Sequence, residues 1–194
     1  MSNYKKNLKL LTENHVYSKE MEHDACGVGV IASTEGKKSR EIVEYGIEAL
    51  KAVWHRGAVD ADGKTGDGAG IHVEIPKDFF IEKIEVTGHD YDNSEICVGM
   101  IFLPRNDYTS QESCKTIVES ELTKNNFSIY GWRQVPVNPK ILGEKAFQTM
   151  PEIIQVLFKS NDPNLIDKNL ERKIYETRKK IENNTFQLSL NNFY

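Results

Sequence analysis

The stretch with the clearest chemical potential is Asp24-Ala25-Cys26-Gly27-Val28-Gly29-Val30-Ile31-Ala32, a cysteine with a small residue before it and a glycine-spaced apolar run after it. A thiolate is the nucleophile of cysteine chemistry, and a free thiol is only a few per cent ionised near neutrality, so Cys26 needs a base or a lowered pKa. Two bases are available. His55, in His55-Arg56-Gly57, is the one histidine inside a dense polar motif; His15 and His23 lie near the N-terminus, His72 in an alternating segment and His89 in a polar stretch. The other base is the α-amine freed if the peptide bond after Ala25 is cut, with an ordinary pKa of about 7.7–8.0 that suits removal of the thiol proton. We read Cys26 as a nucleophile that becomes the first residue of the mature chain. Its alternative is an inert core thiol, the usual fate of a cysteine in an apolar segment.

Arg56 follows a helical pattern, where it either complements the helix dipole or serves as a fixed donor beside the active centre. Beyond it lies a loop dense in glycine and aspartate, with Asp60, Asp62, Gly63, Gly66, Asp67, Gly68 and Gly70. Its aspartates are turn formers or calcium ligands, but their spacing is not that of an EF-hand, and no metal is expected. Gly66-Asp67-Gly68-Ala69-Gly70 lacks the Lys-Ser/Thr ending of a phosphate loop and precedes a strand pattern instead of a helix.

These residues must be held by a scaffold, and 194 residues, 39% hydrophobic and 28% charged, suffice for one domain with a sizeable core. A net charge of -4 gives no electrostatic attraction for nucleic acid or an anionic membrane. No apolar run approaches the ~20 residues of a membrane span. Cys26, Cys97 and Cys114 are too few and too scattered for a disulfide framework, which points to a reducing, cytoplasmic setting.

Residues 1–25 are polar, lack a periodic apolar face and read as a leader. A strand is expected over 26–33. A helix from Ser39 to about residue 54 carries Ile42, Val43, Gly46, Ile47, Leu50, Val53 and Trp54 on one face, which should pack on the sheet. Ile71, Val73 and Ile75 alternate as a strand, and 82–94 reads as a surface excursion. Residues 96–103 suit a strand buried on both faces. Thr109 and Glu112 form a capping box for a helix with Cys114, Ile117, Val118 and Leu122 inside. Strands are expected over 129–135 and 153–158, then a largely solvated helix with Leu170, Ile174 and Ile181 inward. The whole is of α+β or α/β type. The chain closes on Asn191-Asn192-Phe193-Tyr194 as a new apolar element begins, more like a cut than a natural stop.

Taken in order, Asp24-Ala25-Cys26-Gly27-Val28-Gly29, His55-Arg56-Gly57 and Ala61-Asp62-Gly63-Lys64-Thr65-Gly66-Asp67-Gly68-Ala69-Gly70 closely resemble the start of the large subunit of the glutamate synthase family. Leu170-Glu171-Arg172-Lys173-Ile174-Tyr175 and Arg178-Lys179-Lys180-Ile181-Glu182 are similar to it as well. The resemblance implies a class II glutamine amidotransferase domain over 26–194, α+β, with the N-terminal-nucleophile hydrolase fold: a four-layer αββα sandwich, incomplete in this chain. It implies that 1–25 is a propeptide removed after Ala25 and that Cys26 attacks the side-chain amide of L-glutamine. It implies that Arg56, with Gly57 and His55, orients the site, His55 in a structural role, and that Asp67 and Gly68 are scaffold.

The resemblance also implies what lies elsewhere. Relatives carry a substrate-carboxylate arginine and an Asn-Gly oxyanion pair further on, and this sequence has no Asn-Gly dipeptide. Loss of an oxyanion donor costs about 10²–10³ in rate, so the segment alone is expected to be inactive. FMN, an iron–sulfur cluster, the remaining synthase domains and a small reductase subunit belong to the family outside this segment, which itself is expected to hold no cofactor. The alternatives are another class II amidotransferase or N-terminal-nucleophile amidohydrolase, against which the Thr-Gly-Asp-Gly loop argues, and a truncated non-catalytic module acting through a partner.

Overall fold

In the computed structural model of the chain, Ser39 caps helix α1 (Arg40–Ala52), its hydroxyl accepting from the Ile42 amide. The structure describes residues 6, 9, 10, 13, 27–54, 57–66, 68–190 and 193. The backbone divides into two units, Met1–Gly57 and Ala58–Tyr194.

In the first unit the helix forms where its periodicity predicts, but its apolar stripe is not buried: α1 contains no buried residue. The strand expected over 26–33 is not formed over the described residues 27–33. Val28 and Val30 are 90% and 86% exposed. β-branched residues favour a strand only where a neighbour pairs with it and covers it.

The second unit is built on one three-stranded antiparallel sheet of β1 (Cys97–Leu103), β2 (Phe127–Gln134) and β3 (Glu152–Ser160), in spatial order β1-β3-β2. Cys97 pairs with Phe158 on one side, and Phe127 with Ser160 on the other, with a bulge between Ile129 and Gly131. The strand buried on both faces is the central β3, whose residues 154–158 are all buried. The long apolar run 96–103 instead makes an edge strand with Met100 exposed, which corrects the expectation for it.

Helices cover both faces. On one, α3 (Tyr108–Lys124) and α5 (Asp167–Gln187) bring Val118, Leu122, Leu170 and Ile181 onto Cys97, Phe127, Val156 and Phe158. On the other, α2 (Lys77–Val86) brings Phe80 and Ile84 onto Ile96, Tyr130 and Leu157. Alternation along β3 sends Val156 and Phe158 to one side and Leu157 to the other. A short helix α4 (Glu144–Thr149) precedes β3.

Three further expectations are corrected. α2 and the buried Ile84 occupy ground read as a surface excursion; Phe80 and Ile84 are one helical turn apart and share a face. The segment 71–75 is not a strand, and Ile71, Val73 and Ile75 are exposed. α3 starts at Asp107 rather than at a Thr109 box: the Asp107 carboxylate accepts from the Ser110 amide at 3.0 Å and its hydroxyl at 2.6 Å, which lowers the Asp107 pKa. No described helix is long and apolar enough to cross a membrane.

Candidate functional site

Of the sequence-predicted site residues, Gly57 and Gly68 are described, and Ala25, Cys26, His55, Arg56 and Asp67 lie outside the described residues. Gly57 closes a turn, its amide donating to the Trp54 carbonyl at 3.0 Å, and a Cβ there would come within 3.3 Å of the same oxygen. Gly68 has open space where a Cβ would go.

The loop between them is the best-defined part of the region. Val59 and Gly66 form an antiparallel bridge, and the Asp60 amide donates to the Thr65 carbonyl at 2.7 Å. Asp62 sits at its tip and closes it. One carboxylate oxygen accepts from the Lys64 and Thr65 amides at 2.9 and 2.7 Å, and the other from the Thr65 hydroxyl at 2.5 Å. These hydrogen bonds, the Thr65 hydroxyl first, hold the Asp62 carboxyl far below the usual carboxylate range. Among the described residues no three His, Cys, Asp or Glu side chains gather as a metal site.

The loop is tied to α4. Gly143 occupies the N-cap position of that helix and has no side chain to cap it. Thr65 fills the role, its hydroxyl accepting from the Ala146 amide at 3.5 Å, while the Lys145 backbone amide adds to the stabilisation of the Asp62 carboxylate. Lys145 then reaches back with its ammonium to Asp60 at 2.6 Å. A Cβ on residue 143 would lie inside contact distance of Thr65 Oγ1, Asp62 Oδ2 and the Thr65 amide. Sequence alone does not group Asp62, Thr65, Gly143 and Lys145. Asp62-Gly63-Lys64-Thr65 carries a turn signal, but nothing local points to a partner 81 residues away.

The other two cysteines are inert by position. Cys97 and Cys114 are buried in the core, and burial pushes the Cys97 thiol up to about 12 and raises that of Cys114. Both are poor nucleophiles. An open groove of about 700 Å³ runs along α3, lined by Tyr108, Glu112, Thr116, Ile117 and Leu188.

Comparison with known proteins supplies what the described residues do not. The model of the family described as glutamine amidotransferases class-II matches residues 26–194, and the match begins at Cys26. The chain is 50% identical over 194 residues to the glutamate synthase [NADPH] large chain of Azospirillum brasilense, covering all of this chain and 13% of that protein. It is 39% identical over 175 residues to a ferredoxin-dependent glutamate synthase of Pyropia yezoensis, covering 90% of this chain and 11% of the relative. It is 40% identical over 162 residues to the chloroplastic ferredoxin-dependent glutamate synthase 2 of Arabidopsis thaliana, covering 83% and 10%. The chain thus spans roughly a tenth of the length of these relatives. With the family match reaching from Cys26 through the sheet and helices to the last residue, this chain belongs to the class II glutamine amidotransferases.

Proposed function

We propose that this chain is the glutamine-hydrolysing portion of a glutamate synthase. The observation that carries the reading is the family match starting at Cys26, joined to 50% identity along the whole chain with a glutamate synthase large chain. In this reading residues 1–25 are a propeptide released after Ala25, and Cys26 becomes the N-terminal nucleophile.

Its α-amine accepts the thiol proton, and the thiolate sulfur adds to the side-chain carbonyl carbon of L-glutamine. The carbon–nitrogen bond breaks, and the nitrogen takes up a proton and leaves as ammonia. Water then adds to the γ-glutamyl thioester, the carbon–sulfur bond breaks, and glutamate departs as the thiol is restored. Arg56 orients the substrate, with Gly57 giving close approach and His55 supporting the turn. Asp67 and Gly68 are loop scaffold. The three-stranded sheet is one layer of the αββα sandwich. The ammonia serves glutamate formation from 2-oxoglutarate in the remaining synthase domains, where the reading also places FMN, the iron–sulfur cluster and contact with a small reductase subunit, in the cytoplasm. It assigns no cofactor to this segment.

The test is made on the full-length polypeptide. Intact mass should show a mature start at Cys26; another start sinks the N-terminal nucleophile assignment. A glutamine-analogue diazo-ketone should modify Cys26, and Cys26→Ala should abolish both labelling and glutaminase activity. Modification confined to Cys97 or Cys114 would refute it.

A further inference from the structure

We propose that Asp62, Thr65 and Lys145 form a clamp that positions the 58–66 loop for glutamine recognition, making them positioning residues for the reaction assigned to Cys26. The inference rests on that assignment, because the loop joins the two segments, 55–57 and 67–68, that the reading places at the site.

The geometry is that of a loop held from two sides. Its arms are zipped by the Val59–Gly66 bridge and the Asp60–Thr65 hydrogen bond. Its tip is closed by three hydrogen bonds to one carboxylate. Tip and arm are then fastened to α4 separately, by Thr65 and Asp62 at the helix start and by the Lys145–Asp60 ion pair. Gly143 is what permits the seat, since any side chain there would occupy the space of Thr65 and Asp62. A surface loop is ordinarily free to wander. One whose turn caps a helix from another part of the chain is fixed relative to that helix, which is the kind of support that site residues need from their surroundings.

The two carboxylates are consumed in this fastening. Both oxygens of Asp62 accept protein hydrogen bonds, and Asp60 is paired with Lys145. Positioning, rather than ligand binding, is what the arrangement is built for. A misplacement of about 1 Å in a positioned group costs on the order of 100-fold in rate, so the effect is measurable in a protein that remains folded.

The experiment compares two alkylation rates at Cys26 in the full-length protein: that of a glutamine-analogue diazo-ketone, which must use the glutamine site, and that of iodoacetamide, which needs only the thiol. Thr65→Val removes the hydroxyl while keeping the shape, and Lys145→Met removes the ammonium. Each should lower the ratio of the first rate to the second by roughly 10- to 100-fold, raise KM for glutamine more than it lowers kcat, and speed hydrogen exchange at the Lys64 and Thr65 amides. Thr65→Ser should restore the ratio. An unchanged ratio in both variants overturns the clamp, as does a parallel fall of both rates with a lowered Tm, which marks a purely structural role. Failure of the wild-type protein to be labelled at Cys26 overturns the underlying reading instead, and the clamp proposal with it.

Discussion

Thr65 stands where a side chain on Gly143 would be, capping α4 through the amide of Ala146, 81 residues further along the chain. The helix lacks a capping side chain of its own, so loop and helix each supply what the other is missing. Gly143→Ala should therefore force the two apart, lowering stability by about 1–3 kcal/mol in urea unfolding, with faster exchange of the Thr65 amide. Unfolding curves that superimpose on those of the wild type would contradict the seating.

The same contact predicts an acid dependence. Asp62 titrates below its ordinary range when folded, so its contribution is present above the ordinary carboxylate pKa and is lost as the pH falls below it. Asp62→Asn should flatten the acid limb of a Tm-against-pH profile relative to the wild type. An unchanged limb would mean that the hydrogen bonds to the carboxylate add nothing to folding.

Thiol selectivity is a consequence of burial. In the native protein at about pH 8, iodoacetamide should leave Cys97 and Cys114 unmodified, because both thiols are buried and raised in pKa. Peptide mass mapping should recover label at Cys26 only, with the other two reacting after denaturation. Rapid native labelling at Cys97 would contradict the packing of β1 against α3 and α5.

The alkaline limb should report Cys97. Its pKa rises from an ordinary value near 9.0 to about 12 in the folded protein, chiefly by desolvation and then by the charges of Glu95 and Glu171. Between those values the unfolded chain releases a proton that the folded chain keeps. Stability contributed by the neutral thiol is thus complete below the ordinary value and lost as the pH rises, at about 1.4 kcal/mol per pH unit. Cys97→Ala should weaken the fold near neutrality yet reduce this slope by close to one proton, which denaturant titrations at several pH values can resolve.

Gly131 lies next to the bulge in β2 with φ +147°, and a Cβ there would approach Thr87 Cγ2 to 2.8 Å. The Thr87 hydroxyl in turn donates to the Tyr130 carbonyl at 2.7 Å, so the bulge and the end of α2 are fitted to each other. Gly131→Ala should cost about 1–3 kcal/mol through strain and crowding together. A fully wild-type Tm would be incompatible with that fit.

What is legible in the sequence divides along a physical line. α1, α3 and α5 and all three strands are legible because periodicity within a few residues sets them. The Asp107 cap reads as a Thr109 box in sequence because two capping residues stand two positions apart, and only geometry selects between them. Val28, Val30, Ile71 and Val73 look like strand residues, but a strand also needs an edge to pair with, which composition does not provide. At the candidate site, Cys26, Arg56 and Asp67 are proposed from ordered motifs alone and lie outside the described residues. The Thr65–Gly143 seat is not legible in the sequence, since it links positions far apart and one of them is only an absent side chain.

The order β1-β3-β2 has a bearing on how the protein is made. The strand synthesised last occupies the middle, so β1 and β2 have no edge to join until residue 160 has been added. During vectorial synthesis Cys97–Leu103 must stay unpaired for the time taken to translate almost 60 further residues, an interval in which such an apolar strand is vulnerable to aggregation. α2, already complete, and α3, finished well before β3, are the elements at hand to shield it, which makes them early guardians of the nascent chain as well as layers of the finished domain.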